Sequence, residues 1–336
     1  MPGLFDPIKI AGLEIKNRVM MSPMCQYQAG NKAGTAENWH FVHYVSRAIG
    51  GTGLIMTEMT NVESRGRITE GCLGIYDEQH IDAFKRIIDE CHRYGSKAGI
   101  QIAHAGRKST ISGADIVAPS AIPFSPDSPI PRQLTTSEIE EIVEAFGRGV
   151  ERAVQAGVDA IELHGAHGYL IHQFMSPTTN KRDDVYGDLD RFALDVIHAV
   201  KGAMPKGMPL VFRVSAVEYA EEGYTFAEML DKCRRFITAG VDAFDVTTGG
   251  NSPYRPEVYP AYQSKYAQIY KAKLGVPVIS VGRLENPQVA ELLIRNDIAD
   301  MVCIGRGMLR NPYWVKEAAI VLGANLEMPG VYNMGY

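Results

Sequence analysis

The sequence predicts an α/β fold in which parallel strands alternate with helices. Short apolar runs rich in β-branched residues alternate with longer segments of helical periodicity. The segments AGVDAIELHG at 156–165 and AGVDAFDVTTG at 239–249 repeat one unit, a helix ending at glycine followed by a buried strand. We count eight βα units, and no strand is followed by a G-x-G-x-x-G turn. Because eight strands can close on themselves, we expect a single (β/α)₈ TIM barrel.

The elements follow in order along the chain. The eight barrel strands are expected at 18–24, 53–59, 97–103, 158–164, 209–215, 241–247, 276–281 and 300–304. The helices that follow them are expected at 37–49, 78–94, 137–155, 191–203, 226–239, 262–273, 287–295 and 312–322. Several of these helices begin at a Ser, Asp or Asn cap, which supports their boundaries.

Two segments do not belong to the repeat. Residues 8–17 predict a hairpin that turns at Gly12 and forms a lid on the bottom of the barrel. The connection after the third strand, residues 105–136, is long and carries five prolines. A long loop that directly follows a strand's C-terminal end is more often functional than a solvated insertion, so we expect a wall over the barrel mouth.

Composition narrows the possible functions. The formal net charge is −5 and no Lys/Arg-rich run is present, which disfavours a nucleic-acid partner. The N-terminus has no pattern typical of a signal peptide, and no window has the apolar length of a membrane span. The five cysteines are widely spaced without a C-x-x-C pair, which disfavours disulfides and thiolate metal clusters. We therefore expect one cytoplasmic domain over 1–336 with no membrane segment.

The last two strands end in similar Gly-Arg turns, VGRL at 281–284 and IGRG at 304–307. Backbone N–H groups and a guanidinium at such turns can hold a phosphate, and this is the usual phosphate position in a barrel. One Gly-Arg pair would more often be a surface turn. Two on consecutive strands favour a phosphate site.

Two polar side chains fall inside predicted strands. Gln101 ends the third strand and Arg213 lies within the fifth, where burial is unfavourable without a partner. A planar, electron-rich ligand would supply that partner, and a reduced flavin carries negative charge that a fixed arginine stabilises. The alternative is that Arg213 pairs with a barrel carboxylate such as Glu162.

The fourth strand ends in ELHGAHGYL, which brings His164, His167 and Tyr169 into one glycine-punctuated turn. Two imidazoles three residues apart can donate hydrogen bonds to one oxygen or bind a metal. Tyr169 is a protonated acid at neutral pH and can deliver a proton to a carbanion. The alternative is a metal-dependent lyase or hydrolase with Glu162 or Asp245 as third ligand.

The first strand ends in SPMCQY at 22–27. Met24 would more often belong to the core than contact a cofactor. Cys25 could be a thiol nucleophile, but no base for it is evident. A thiol in contact with a flavin is consistent with both observations.

Together, LFDPIKIAGLEIKNRVMMSPMCQY, QIAHAGRK, ELHGAHGYLIHQF, SP-x₃-N-x-R-x-D-x-YG and SVGRL/IGRG resemble the old yellow enzyme family from Leu4 to about Leu322. Cys25 and Tyr27 resemble its thermophilic-like subgroup of NADPH dehydrogenases, the ene-reductases. The resemblance implies a non-covalently bound FMN and NADPH as hydride donor. It implies cofactor contacts by Ser22, Pro23, Met24, Cys25, Met59, Gln101, Arg213, Gly282, Gly305 and Arg306. At Met59 the family often carries a smaller residue.

The same resemblance implies the chemistry. His164 and His167 would bind the oxygen of an α,β-unsaturated carbonyl or nitro compound, Tyr169 would donate a proton, and Tyr27 would offer a further substrate-side hydroxyl. No metal ligand is implied, and a homodimer or homotetramer is expected.

The C-terminal tail, about 323–336, departs from the subgroup's pattern. Members often end in an aromatic residue preceded by an arginine two places earlier, and this end reaches a neighbouring subunit's site. Here Met334 replaces that arginine, while Tyr336 could still cross an interface.

Overall fold

The computed structural model describes residues 1–335 and contains a closed barrel of eight parallel strands. In chain order the strands are β1 Ile8–Ile10, β2 Leu13–Ile15, β3 Val19–Met21, β4 Leu54–Asn61, β5 Lys97–Ala103, β6 Val117–Ala118, β7 Arg132–Gln133, β8 Ala160–Gly165, β9 Leu210–Ser215, β10 Ala243–Thr247, β11 Val278–Val281 and β12 Met301–Ile304. The barrel closes in the order β3-β4-β5-β8-β9-β10-β11-β12, with β12 beside β3. The predicted (β/α)₈ TIM barrel is confirmed.

The α-helices are α1 Asn38–Ile49, α2 Gln79–Arg93, α3 Thr136–Gln155, α4 Leu170–Met175, α5 Arg191–Ala203, α6 Phe226–Ala239, α7 Ser264–Leu274, α8 Pro287–Arg295, α9 Arg306–Arg310 and α10 Trp314–Leu322. All eight predicted helices are present. The sequence patterns missed α4 and α9 because helices of one or two turns are too short to show a periodicity. Within residues 1–335, no helix is long and apolar enough to cross a membrane.

The N-terminal hairpin closes the bottom of the barrel, as expected. Strands β1 and β2 pair antiparallel, with Ala11 and Gly12 forming the two-residue turn between them. Ile10 and Ile15 are buried against the apolar ends of the barrel strands. A Cβ on Gly12 would lie 2.8 Å from the carbonyl oxygen of Gly207, so the close approach of these backbones requires glycine.

The side chains inside the barrel are apolar near the bottom and polar nearer the mouth. Because residues alternate between the two faces of a strand, Phe212 and Val214 point outward to the helices while Arg213 points inward. The lowest interior layer is apolar and includes Val211, Ala243 and Met301. The next layer, two residues further along each strand, is the one we call the polar layer: Gln101, Glu162, Arg213, Asp245 and Cys303.

The long connection after β5 runs along the mouth of the barrel. It contains a short 3₁₀ turn at Gly106–Lys108 and the parallel pair of β6 and β7. The Arg107 guanidinium donates to the carbonyl oxygen of Asn251 at 2.5 Å, and Lys108 Nζ donates to that of His167 at 2.9 Å. This connection therefore ties together the loops after β8 and β10 and forms one wall of the mouth.

The tail crosses the opposite end of the barrel. Lys316 Nζ donates to the carbonyl oxygen of Leu326 at 2.9 Å, and a Cβ on Gly51, just before β4, would lie 2.6 Å from Leu326 Cδ2. Met334 is fully exposed. The tail therefore does not line the mouth of its own barrel, and Tyr336 lies outside the described residues.

Candidate active site

The predicted site residues meet at the C-terminal ends of the barrel strands. His164 on β8 is the register partner of Arg213 on β9, so the two side chains face one interior space. The ring centroids of His164 and His167 are 5.1 Å apart, and those of His164 and Tyr169 are 4.8 Å apart. The structure thus assembles the imidazole pair and the phenol directly above the polar layer.

The turn that carries these side chains is held in a strained backbone conformation. His167 has a φ of +59°, an uncommon value for a residue with a side chain. Its N–H donates to Ser215 Oγ at 3.1 Å, and its carbonyl accepts from Lys108 Nζ at 2.9 Å. The next N–H, that of Gly168, donates to His172 Nδ1 at 3.0 Å. Contacts on three sides of the turn therefore fix the direction in which His167 points.

Both imidazoles are neutral donors. Burial, together with Arg213 and Lys108 nearby, holds the pKa of His164 and of His167 well below the usual value. His164 Nδ1 accepts from the N–H of Ala166 at 3.3 Å, so the ring proton resides on Nε2. His167 Nε2 lies 3.0 Å from Thr247 Oγ1, and when the Thr247 hydroxyl donates to Nε2 the ring proton lies on Nδ1. Each ring can then present one N–H to a ligand.

The Tyr169 phenol is a protonated acid whose hydroxyl is not used within the fold. Burial raises its pKa well above the usual value, so it carries its proton at neutral pH. The ring packs beside Met59 and Ala103, and Lys108 Nζ lies 5.1 Å from its centroid. The hydroxyl forms no hydrogen bond within residues 1–335. Its proton therefore remains available for a bound molecule.

Cys25 and Tyr27 lie together beyond the end of β3. The two side chains interact, and Cys25 packs with Met59 and Tyr169. Burial is the main cause that raises the pKa of the Cys25 thiol, with a smaller contribution from the Glu58 carboxyl. The thiol is therefore protonated, which does not favour a cysteine nucleophile. About half of Tyr27 is exposed, on the open side of the mouth.

The segment after β3 passes beside the turn after β12. The N–H of Ser22 donates to the carbonyl oxygen of Ile304 at 3.1 Å. A Cβ on Gly305 would lie 3.5 Å from Met24 Sδ and 3.7 Å from Ser22 Cβ. The predicted Ser22-Pro23-Met24 segment and the second Gly-Arg turn therefore form one continuous surface.

The two Gly-Arg turns differ in whether the arginine is already paired with a carboxylate. Arg283 pairs with Glu285 at 2.9 Å, whereas Arg306 is exposed and has no ion-pair partner in the described part of the chain. Gly282 has a φ of +118°, which favours glycine strongly. Gly305 immediately precedes the first turn of α9, where backbone N–H groups lack acceptors within the helix. Gly282, Gly305 and Arg306 can therefore hold a phosphate, while Arg283 is neutralised.

Arg213 has a partner different from the one suggested by the sequence. Its Nε lies 3.2 Å from Asp245 Oδ2, while Glu162 accepts a hydrogen bond from Gln101 Nε2 at 2.6 Å. The alternative that Arg213 pairs with a barrel carboxylate is therefore present in the structure, with Asp245 rather than Glu162 as the partner. Within residues 1–335 the guanidinium donates no directed hydrogen bond, and its buried Nε has no hydrogen-bond partner. This unused donor capacity suits the electron-rich edge of a flavin ring.

The carboxylates proposed as a third metal ligand are already engaged by Gln101 and Arg213. Among residues 1–335, no three side chains of His, Cys, Asp or Glu form a group that could hold a metal ion.

The sequence reasoning missed the residues that hold the others in place. Lys108, Ser215, Thr247 and His172 each support the turn that bears His167 or the ring itself. Ser215 and Thr247 stand at strand ends, the position where barrel chemistry is found, whereas Lys108 lies in the loop that follows β5. The position of Ser215 and Thr247 at the ends of predicted strands could have marked these two residues as candidates. Their contacts with the turn depend on tertiary structure and could not be predicted from the sequence.

A barrel whose mouth carries two Gly-Arg turns, a buried guanidinium and a cluster of two imidazoles and a phenol is typical of an enzyme that uses a phosphate-bearing cofactor. The family model for the NADH:flavin oxidoreductase / NADH oxidase family matches residues 3–325, and the chain belongs to that family. The resemblance to old yellow enzymes is thereby confirmed.

Similar proteins agree with this assignment. NADPH dehydrogenases of Listeria innocua and Geobacillus thermodenitrificans are both 44% identical to the chain, over 100% and 99% of it and 100% and 98% of their own lengths. Among solved structures, morphinone reductase has a TM-score of 0.81 at 25% identity, covering 98% of this chain and 91% of that one. The protein is an FMN-dependent oxidoreductase that uses NADPH.

Proposed function

We propose that the protein reduces the activated C=C bond of α,β-unsaturated carbonyl or nitro compounds in a ping-pong reaction with NADPH. The observation that supports this proposal is the assembly of His164, His167 and Tyr169 above the polar layer, with one available N–H or O–H on each. NADPH and the alkene would occupy the same space in turn.

The proposed cofactor placement rests on the family resemblance, and the Arg213 and Arg306 guanidinium groups at the mouth support it. Arg213 and Gln101 would bind the pyrimidine edge of FMN, and Gly282, Gly305 and Arg306 its phosphate. The remaining contacts along the ring system would come from Ser22, Pro23, Met24, Cys25 and Met59. When bound, FMN accepts hydride from NADPH and donates hydride to the β-carbon of the alkene.

The protein side chains would polarise and protonate the substrate. His164 and His167 donate hydrogen bonds to the carbonyl or nitro oxygen, which stabilises the negative charge that develops there as hydride arrives. The Tyr169 hydroxyl then transfers its proton to the α-carbon. Tyr27 would add a hydroxyl on the open side. Because the imidazoles are neutral, they orient the substrate without acting as the acid.

Replacing His164 and His167 by Ala should weaken the binding of phenols, whose phenolate resembles the polarised enolate oxygen. A hydrogen bond to a charged group contributes roughly 1.5–3 kcal/mol, so each substitution should raise the Kd about 10-fold to 100-fold. The measurement is titration of the FMN-loaded protein with 4-chlorophenol, followed by the flavin absorption spectrum.

The matched control for this titration is His198→Ala, since His198 is an exposed histidine on the outer helix α5. That variant should bind phenol with the wild-type affinity. Unchanged phenol affinity in both His164→Ala and His167→Ala would remove the imidazoles from the proposed role.

We further propose, from the same family resemblance, that residues 1–336 act as one FMN-binding domain in a cytoplasmic homodimer or homotetramer. Light scattering of the purified protein measures the oligomeric state directly. A monomer at micromolar concentration would contradict that part of the proposal.

A further inference from the structure

The polar layer encloses more negative than positive charge. Arg213 supplies one positive charge, whereas Glu162 and Asp245 are two carboxyls, and both are fully buried. An unpaired ionised carboxylate inside a protein is strongly disfavoured, and such a group binds a proton instead. The layer is therefore electrically balanced when one of the two carboxyls is protonated.

The distance to Arg213 indicates which carboxyl holds the proton. Asp245 forms the direct ion pair with Arg213, at 3.2 Å between Oδ2 and Nε, although neither of its oxygens accepts a hydrogen bond from the described residues. Glu162 Oε1 accepts from the uncharged amide of Gln101, and Oε2 is buried with no hydrogen-bond partner among the described residues. Burial, followed by repulsion from Asp245, raises the pKa of Glu162 to about 8.

We propose that Glu162 is a proton-binding site coupled to the redox state of the cofactor, and that in the alkaline range, where its carboxyl is ionised, it takes up a proton when the flavin above Arg213 is reduced. This inference rests on the proposed placement of FMN against Gln101 and Arg213. Reduction places negative charge beside the guanidinium that also stabilises ionised Glu162. The two negative charges compete for Arg213, so reduction favours protonation of Glu162.

The reaction balances at each step. Hydride from NADPH delivers two electrons and one proton to the cofactor, and NADP⁺ leaves. Solvent supplies a second proton, which binds the Glu162 carboxylate oxygen and forms no bond to the cofactor. When hydride passes to the alkene, Tyr169 supplies the proton at the α-carbon and is re-protonated from solvent, and the proton on Glu162 returns to solvent.

The other groups that face Glu162 are few. Asp245 on β10 and Arg213 on β9 are the charged neighbours, Gln101 on β5 is neutral, and Cys303 on β12 is the remaining titratable side chain. Burial raises the pKa of the Cys303 thiol well above its usual value, so it stays protonated. Glu162 is therefore the group in this layer expected to titrate near neutral to mildly alkaline pH.

The test is the midpoint potential of the FMN-loaded protein as a function of pH, measured without any alkene. Each proton taken up by a two-electron couple shifts the potential by about 30 mV per pH unit. Below the Glu162 pKa of about 8, the midpoint potential of the wild-type protein should fall by about 30 mV per pH unit. Above that pH the potential should fall more steeply, approaching about 59 mV per pH unit. Glu162→Gln should keep the shallow slope over the alkaline range.

Two comparisons show whether the change in slope is caused by Glu162. Protonation of the reduced flavin ring itself would steepen the slope on the acidic side, whereas Glu162 steepens it on the alkaline side. Glu144→Gln, at an exposed glutamate of α3, should retain the wild-type bend. A wild-type slope that stays at about 30 mV per pH unit through the alkaline range would overturn the proposal, even if Glu162→Gln does not fold.

An infrared difference spectrum provides a second test on wild type alone. Reduction at alkaline pH should convert a carboxylate band into a carboxylic-acid band, and no such conversion would contradict the proposal. Because neither measurement uses an alkene, failure of the proposed alkene reduction leaves both results interpretable. Loss of FMN binding on substitution of Arg213 tests the cofactor placement separately.

Discussion

Tyr169→Phe should slow alkene reduction by about 10²–10⁴-fold, the usual contribution of a positioned general acid, while reduction of the flavin by NADPH stays close to the wild-type rate. The two half-reactions differ in their need for a proton. Hydride transfer from NADPH requires none, whereas the α-carbon of the alkene must be protonated. The removed hydroxyl makes no hydrogen bond within residues 1–335, so its loss should leave the packing of the ring intact.

Rapid mixing under anaerobic conditions measures the two half-reactions separately. NADPH is mixed with oxidised protein, and 2-cyclohexenone with reduced protein, while flavin absorbance is followed. Tyr259→Phe is the matched control, because Tyr259 is half exposed on the loop after β10. Equal slowing of both half-reactions in Tyr169→Phe would show that the substitution disturbs the site generally, and Tyr169 would lose its role as acid.

Arg213→Met should destabilise the apoprotein by about 3–5 kcal/mol and abolish tight FMN binding. Removing one member of a buried ion pair leaves the other charge uncompensated, and Asp245 is fully buried. The destabilisation should grow as pH rises, because the Asp245 pKa in this folded variant would lie above its unfolded value. The unfolded chain then releases that proton at lower pH than the folded chain does.

Urea unfolding of the apoprotein at several pH values measures this effect without the stabilisation that a bound ligand adds. The double variant Arg213→Met/Asp245→Asn is the control, since it removes both charges. It should recover most of the lost stability but not the FMN affinity. Recovery of FMN binding in the double variant would show that the guanidinium does not contact the cofactor.

The barrel was predictable from sequence because periodicity and glycine-terminated repeats are local signals. The strands predicted at 158–164 and 241–247 correspond to Ala160–Gly165 and Ala243–Thr247. The first strand is shorter than predicted, Val19–Met21 rather than 18–24, because the chain leaves the barrel at Ser22 to reach the mouth. The apolar pattern of Pro23 and Met24 does not distinguish a strand from a buried loop.

The residue types at the site were predictable, but their pairing was not. Strand ends and the His-Gly-Ala-His-Gly-Tyr turn indicated where chemistry would be found. The choice of Asp245 over Glu162 as the partner of Arg213 depends on the register between neighbouring strands, which pairs Arg213 with Asp245 directly. The support of His167 by Lys108 depends on the path of a long loop. Neither is encoded in local spacing.

The most direct test of the central proposal is an anaerobic absorption spectrum of the purified protein, taken before NADPH, after NADPH and after 2-cyclohexenone. We expect flavin bands that bleach with NADPH and return when the enone is added. Bands that bleach but do not return would contradict reduction of the C=C bond. A protein without flavin bands that takes up no added FMN would contradict the cofactor placement itself.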